Sequence, residues 1–307
     1  MKMASLIAFL TCQMASFGDK MNITGHTKIL GVIGDPVEHS RSPQMHNSAI
    51  KEMGLDYVYV PFHVKPNDLR SAIEGFKAIS VVGINITLPH KQSAIPLMDS
   101  LSEEAKLIGA VNTMVFKDGF VEGHNTDAKG FIYSLYENGI NNLKGMKVVV
   151  LGAGGGARAI VVGLALDKVG NIIIANRTFQ KAVDLACDLG EKTGISITGI
   201  SLEDKKLSDY IAECDLLVST VTSGMNLNAE LPINPDWLSP KSIVCDIVYT
   251  PPETKLLKSA KDRGLKTIGG MGMLVHQGAI SFKLWTGFQP PIETMKKALA
   301  QALFGEL

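Results

Sequence analysis

An excess of charge of either sign is missing from this chain of 307 residues: 30 lysines and arginines balance 30 aspartates and glutamates. Nucleic acid and anionic membrane surfaces are bound through a surplus of cations, so neither is an expected partner. Cysteines are scarce, and the four present, Cys12, Cys187, Cys214 and Cys245, form no C-x-x-C pair. That spacing points to no metal site and no disulfide framework, and a reducing, cytoplasmic compartment is the expectation. No apolar run approaches the ~20 residues of a membrane-spanning helix. Aromatics are sparse at 6% against 30 glycines, the balance of a chain with many tight βα turns. What is plentiful is apolar residue, 46%, with 20% charged, which excludes a disordered chain and leaves enough core for two domains.

At the start, Lys2 and the apolar stretch Ala4 to Leu10 faintly resemble a signal peptide, but no clean small-x-small cleavage site follows. Residues 1–27 are expected to be a disordered extension or a non-native start, with Met21 the natural beginning. From Lys28 short apolar runs alternate with amphipathic segments of helix length. Strands are expected over Lys28–Ile33, Tyr57–Phe62 and Val81–Ile86, with helices over Pro43–Met53 and Asn67–Phe76. Ala110–Val115 and Phe120–Gly123 form a hairpin about Asp118-Gly119, a pair suited to a type I′ turn. A second series follows: strands Lys147–Leu151, Ile172–Ala175, Asp215–Ser219, Ser242–Val248 and Lys266–Ile268, with helices Gly155–Leu166 and Phe179–Leu189. Helices Leu274–Leu284 and Ile292–Leu303 close the chain. This is the pattern of βαβ units, and it predicts an α/β fold of two domains with mainly parallel sheets and a cleft between them.

Strand Lys147–Leu151 runs into GAGGGA, in which Gly152, Gly154 and Ala157 occupy G-x-G-x-x-[G/A]. The first glycine permits a tight turn, the second lets backbone approach a pyrophosphate, and the alanine allows close helix–strand packing. The helix start then offers free N–H groups to anionic oxygens. An acid that would bond a ribose 2′-hydroxyl is absent at the end of the next strand, where Asn176-Arg177-Thr178 stands. A guanidinium there can pair with a 2′-phosphate, with Lys181 one helical turn on, so NADP is favoured over NAD.

Three polar clusters stand where first-half strands end, the edge at which α/β proteins bind ligands. In GDPVEHSRSP, Ser40 and Ser42 precede a helix beginning at Pro43 and can hold a carboxylate, or Ser42 can simply cap that helix. In NITLPHK, Asn85 and Thr87 lead to Lys91, which is expected to open a helix, a position unfavourable to a cation and hence a sign of another purpose. GAVNT and GHNTD carry Asn112 and Asp127, the latter at a helix start where an acid is also simply stabilising. Lys91, Asn112 and Asp127 together supply an ammonium, an amide and a carboxylate, the inventory for binding vicinal hydroxyls and moving one proton.

From Lys28 to the C-terminus the chain resembles the shikimate dehydrogenases, through GDPVEHSRSPQMHN, NITLPHK, GAVNT, GHNTD, GAGGGA, NRT and GMGMLVHQ. The resemblance implies a substrate domain over residues 28–126 plus 272–307 and a Rossmann-like NADP domain over 127–271. It implies reversible NADPH-dependent reduction of 3-dehydroshikimate to shikimate, in chorismate and aromatic amino-acid biosynthesis. Lys91 matches the catalytic acid/base and Asp127 its partner. Ser40 and Ser42 match the residues that hold the substrate carboxylate. Asn85, Thr87, Asn112, Asp127 and Gln277 match those at the ring hydroxyls, and Tyr249 a substrate-side tyrosine. On the cofactor side it implies Glu103, Gly152, Ala153, Gly154, Gly155, Gly156, Asn176, Arg177, Thr178, Lys181, Ile247, Gly270 and Met273. By their own residue types, Met273 reads as a core methionine and Gln277 as an exposed helix residue; their spacing of four puts both on one helical face. Two positions depart from the family: Asp35 replaces the usual asparagine, and Lys181 a common arginine. The alternative is a quinate/shikimate dehydrogenase of broader substrate range that uses NAD. A nucleotide-sensing relative without catalysis would lack Lys91 or Asp127, and both are present. The family includes homodimers and monomers.

Overall fold

A computed structural model describes residues 23–221 and 231–305. Cys12 and most of the expected extension, residues 1–22, lie outside them. Residues 24–27, assigned to that extension, instead form a turn in which the Thr27 hydroxyl donates to Asp56 at 2.6 Å.

The first half contains β1 (Lys28–Gly34), α1 (Ser42–Glu52), β2 (Tyr57–His63), α2 (Leu69–Ala78), β3 (Gly83–Ile86), β4 (Ser100–Leu101), α3 (Glu103–Ile108), β5 (Thr113–Lys117) and β6 (Phe120–His124). Its sheet runs β2-β1-β3-β5-β6-β4, parallel from β2 to β3 and antiparallel on either side of β5. At the β5–β6 turn both Asp118 and Gly119 have positive φ, 51° and 81°, as a type I′ turn requires. Then come α4 (Asp127–Glu137), β7 (Lys147–Leu151), α5 (Gly155–Leu166), β8 (Asn171–Asn176), α6 (Phe179–Thr193), β9 (Ser196–Ser201), α7 (Leu207–Glu213), β10 (Leu216–Ser219), β11 (Ile243–Asp246), α8 (Lys255–Asp262) and β12 (Lys266–Ile268). This second sheet runs β12-β11-β10-β7-β8-β9 and is parallel throughout. Helices α9 (Met271–Thr286) and α10 (Ile292–Phe304) return to pack on α1 and the first sheet. The Trp285 indole donates to Met114 O at 3.0 Å and ties α9 to β5.

Local chemistry accounts for most of these elements. β7 (KVVVL) is apolar without alternation because both faces of a parallel sheet are covered. Helix α5 is apolar almost all round because it lies between that sheet and α4. Helices α3, α7 and α8 and strands β4 and β9 are absent from the sequence reading. All are short or exposed on one side, and β9 (SITGIS) carries only two apolar residues in its periodic pattern.

One difference bears on function. Lys91 does not open an α-helix: residues 88–94 form turns that lead into a single 3-10 turn, Ile95–Leu97. The Lys91 carbonyl accepts from Val111 N at 2.8 Å, which takes it out of any helical ladder, and Pro96 has no N–H with which to continue one. The helix-dipole argument for Lys91 therefore falls away, and its placement rests on what its side chain meets.

Candidate active site

The carboxyl ends of β1, β3 and β6 and the amino end of antiparallel β5 meet at one edge of the first sheet. There Lys91 Nζ donates to Asp127 Oδ2 at 2.7 Å, with the two side chains 18% and 6% exposed. Asp127 Oδ1 accepts from Asn112 Nδ2 at 2.9 Å, so both carboxylate oxygens are held. The Asp127 backbone N–H is taken by Asn125 Oδ1 at 3.0 Å.

The two asparagines are more deeply engaged than their motifs suggest. Asn112 Oδ1 accepts from Thr126 N at 2.8 Å and from the Thr113 hydroxyl at 2.9 Å, and its amide also donates to Thr126 Oγ1. Asn85 Nδ2 donates towards Asn112 O, Thr113 Oγ1 and Ser281 Oγ at 3.1–3.2 Å. Asn85 Oδ1 accepts from the Tyr59 hydroxyl at 2.7 Å. Every N–H of these buried amides is spent within the protein, as buried polar groups demand. Gln277 is buried, against the exposed position its residue type suggests. Its Nε2 is bound to Leu274 O, and its Oε1 lies 3.4 Å from Asn112 Nδ2 and from Thr126 Oγ1. It comes so close because α4 carries Gly130 opposite it: a Cβ there would stand 2.7 Å from Gln277 N.

On the other rim, Ser42 lies within the first turn of α1 but does not cap it; its N–H donates to Ser40 Oγ at 3.3 Å. The Ser42 side chain meets Tyr59, a fully buried phenol whose pKa burial pushes well up, against the Ser42 hydrogen bond. Tyr249 is also held up by burial, with Arg41 opposing the shift. Thr87 is half-buried beside Gly34, its N–H donating to Ile33 O. The departure at Asp35 has a local partner, since Asp35 Oδ1 lies 2.6 Å from His63 Nε2 on β2.

The glycine loop faces this pocket. A Cβ at Gly155 would come 3.7 Å from Lys91 Cβ and Cδ, so the start of α5 and the lysine are neighbours. Gly152 has φ +107°, Ala153 follows it, and Gly154 is the uncapped N-cap of α5 with open space about it. Gly156 faces Ile247 Cδ1, and Gly270 packs so tightly on Ile247 O that no side chain fits. Met273 is buried one turn before Gln277 on α9. Asn176 ends β8, and Arg177 and Thr178 follow it into α6, with Asn176 Nδ2 donating to Thr178 O; Arg177, Thr178 and Lys181 are exposed. Glu103 stands apart from this grouping in its contacts: it is exposed on the first turn of α3 and paired with Lys106 at 2.6 Å. Asp246, at the end of β11, is a buried acid raised to about 6 by burial, against bonds from Val248 N and the Thr254 hydroxyl.

Comparison with known proteins is consistent along the chain. The family description "Shikimate dehydrogenase substrate binding domain" matches residues 32–114, "Shikimate / quinate 5-dehydrogenase" matches 134–233, and "Shikimate 5'-dehydrogenase C-terminal domain" matches 270–300. The shikimate dehydrogenase (NADP(+)) of Methanopyrus kandleri is 44% identical over 92% of this chain and 98% of its own. The chain belongs to the shikimate dehydrogenase family. A crystal structure of a shikimate dehydrogenase in complex with NADP+ superposes with a TM-score of 0.85 at 42% identity, covering 92% of this chain and 98% of that one. A quinate dehydrogenase from Corynebacterium glutamicum in complex with NAD is also similar, with TM-score 0.83 and 32% identity over 90% of this chain and 99% of that one. The alternative of a broader, NAD-using quinate enzyme is not favoured, because the NADP(+)-named relatives are the more similar in sequence. The α/β fold with mainly parallel sheets and the assignment to the oxidoreductases acting on a CH–OH group follow from membership of this family.

Sequence reasoning missed several residues of this family member's pocket. Tyr59 sits in a strand with no motif. Thr113 and Thr126 lie inside quoted motifs, with no role assigned. Ser281 was legible in principle, since Met273, Gln277 and Ser281 recur every four residues along one face of α9. Among the described residues no group of three or more His, Cys, Asp and Glu could hold a metal, and no helix is long and apolar enough to cross a membrane.

Proposed function

We propose that the chain catalyses the reversible NADPH-dependent reduction of 3-dehydroshikimate to shikimate, with residues 28–126 and 272–307 forming the substrate domain and 127–271 the NADP domain. The observation that carries this reading is the Lys91–Asp127 pair, 2.7 Å apart, with the carboxylate buried and the lysine beside the glycine loop.

The residues fit the cofactor. Gly154 leaves the first-turn N–H groups of α5 without a side-chain cap, in open space that a pyrophosphate can enter. Arg177 and Thr178 stand exposed just beyond β8, and Lys181 in the first turn of α6, where a 2′-phosphate would be met. NADP, when bound, supplies or accepts the hydride. The chain's own task is the substrate C3 oxygen. As the carbonyl is reduced, negative charge grows on that oxygen, and the Lys91 ammonium both stabilises it and delivers its proton. In the reverse direction Lys91 takes the proton back. Asp127 Oδ2 keeps Nζ aimed, and Asn112 locks Oδ1 so that the carboxylate cannot swing away. Because the amides of Asn85 and Asn112 are already spent, the ring hydroxyls fall chiefly to Asp127, Thr87, Lys91 and Gln277. Asn85 and Asn112 hold the framework and offer their remaining lone pairs. Ser40, Ser42 and Tyr249 supply neutral hydroxyls for the substrate carboxylate. Ile247, Gly270 and Met273 border the nicotinamide; Glu103 is assigned to the cofactor side by the family resemblance alone, its own contact being to Lys106.

The test is absorbance at the reduced-nicotinamide band with shikimate or quinate and NADP+ or NAD+. Activity with shikimate and NADP+ is expected, and silence in that pair overturns the reading. A cytoplasmic location fits the free thiols of Cys187, Cys214 and Cys245. For assembly we propose the homodimer that the family allows, to be read by light scattering.

A further inference from the structure

We infer that Arg158 is a positioning residue: it clasps the glycine-loop helix to the segment 108–112 and thereby sets the gap between cofactor and Lys91. This rests on the functional reading above. Arg158 lies in the first turn of α5, three residues after Gly155 and so on the neighbouring part of the same helical face. Its Nε donates to Ile108 O, at the end of α3, at 2.5 Å. Its Nη2 pairs with Asp188 on α6, and Lys192 Nζ holds the other oxygen of Asp188 at 2.7 Å. The guanidinium is thus pinned from two sides, and the side chain is only 14% exposed. Gly109 is fitted beneath it. A Cβ there would come 2.8 Å from Nη2, at a φ of +68° that already favours glycine.

The segment so clasped leads directly into the chemistry. Ala110 O accepts from Asn125 Nδ2 at 3.0 Å, Val111 N donates to Lys91 O at 2.8 Å, and Asn112 holds Asp127. One turn of α5 therefore lies near Lys91 twice over: a Cβ at Gly155 would stand 3.7 Å from the Lys91 side chain, and Arg158 bonds Ile108 O at the head of the 108–112 segment, in which Val111 bonds Lys91 O. Hydride transfer needs reacting atoms about 3–3.5 Å apart, and a 1 Å misplacement costs on the order of 10²-fold. A planar guanidinium fixed at two points holds such a distance better than a single ammonium.

The test uses Arg158→Gln and Arg158→Lys in the full chain. Without any ligand, hydrogen–deuterium exchange of the peptide spanning residues 108–112 should quicken by roughly 10-fold in R158Q, as expected where a local clasp is lost. With shikimate deuterated at the hydride-donating carbon and NADP+, kcat should fall about 10-fold or more, the primary isotope effect on kcat should rise, and KM for shikimate should stay within about two-fold. R158K should lie between, and it carries the same two readouts alone if R158Q does not fold. A folded variant with wild-type exchange over 108–112, or with lowered kcat and an unchanged isotope effect, overturns the inference. A wild-type chain inactive on shikimate overturns the functional reading instead, and the inference with it.

Discussion

The two halves of the pocket are built on opposite plans. The first-sheet side is a closed network of buried side chains: Tyr59, Asn85, Asn112, Thr113, Thr126, Asp127, Gln277 and Ser281 exchange hydrogen bonds at 2.7–3.4 Å. The glycine-loop side offers almost no side chains at its centre, only uncapped backbone at Gly154 and exposed cations at the end of β8. A polar ring with several hydroxyls needs donors and acceptors fixed before it arrives, which a satisfied buried network provides. A dinucleotide brings its own charge and length, so free N–H groups and a reachable guanidinium suffice.

Substitutions should separate the two plans. The largest effect is expected at the group proposed to transfer the proton: Lys91→Ala should lower kcat on the order of 10²-fold or more with modest change in KM for shikimate, read by steady-state kinetics. Wild-type turnover in that variant would remove Lys91 from the chemistry. Next, Arg177→Ala should raise KM for NADP+ by about 10-fold, the scale of one charge-assisted pair, and leave KM for shikimate nearly unchanged. Equal rises in both constants would mean that the halves are not independent. Asn112→Ala should act on catalysis and stability together. It strips Thr126 N of its acceptor and Asp127 of a donor, costing about 1–3 kcal/mol for each group left unpaired, as urea denaturation would report. Also on the first-sheet side, Gly130→Ala should disturb substrate more than cofactor, because the added methyl meets Gln277 backbone; overpacking of this kind costs about 1–3 kcal/mol.

The smallest catalytic effect is expected at Asp246. Its folded pKa is raised to about 6, above the model-peptide 3.8, chiefly by burial. The native state then binds the proton more tightly than the unfolded chain, so stability falls as pH rises between about 4 and 6 and is level above. Asp246→Asn should abolish that fall, which shows as a difference in unfolding midpoints between wild type and variant across this window. Identical pH profiles would mean that the carboxyl is not held protonated.

Legibility also divided along this line. The glycine-loop half was readable because its chemistry is local: strand, turn and helix start are contiguous from Lys147 to Leu166, and the expected helix Gly155–Leu166 matches α5 to the residue. The pairing of Lys91 with Asp127 was legible as an inventory of types at strand ends. Its geometry was not, since the turn that carries Lys91 is set by Val111 and Pro96 rather than by a helix. The roles of Tyr59 and Arg158 had no local signal, because each is defined by a distant partner: Tyr59 reaches Asn85 across 26 residues and Arg158 reaches Ile108 across 50.

By itself, then, the amino-acid sequence determined the alternation of strands and helices, the glycine turn ahead of a helix start, the cation in place of an acid after the next strand and the residue types that can move a proton. These depend on neighbours a few positions apart, where hydrophobic period, turn chemistry and helix ends decide the outcome. Only the tertiary structure decided which amides are spent inside the protein, which oxygens of Asp127 are held, and which groups on α3 and α6 the Arg158 guanidinium meets. Those outcomes follow from long-range burial, in which each polar group must find a partner and the chain has brought together residues that no spacing rule relates.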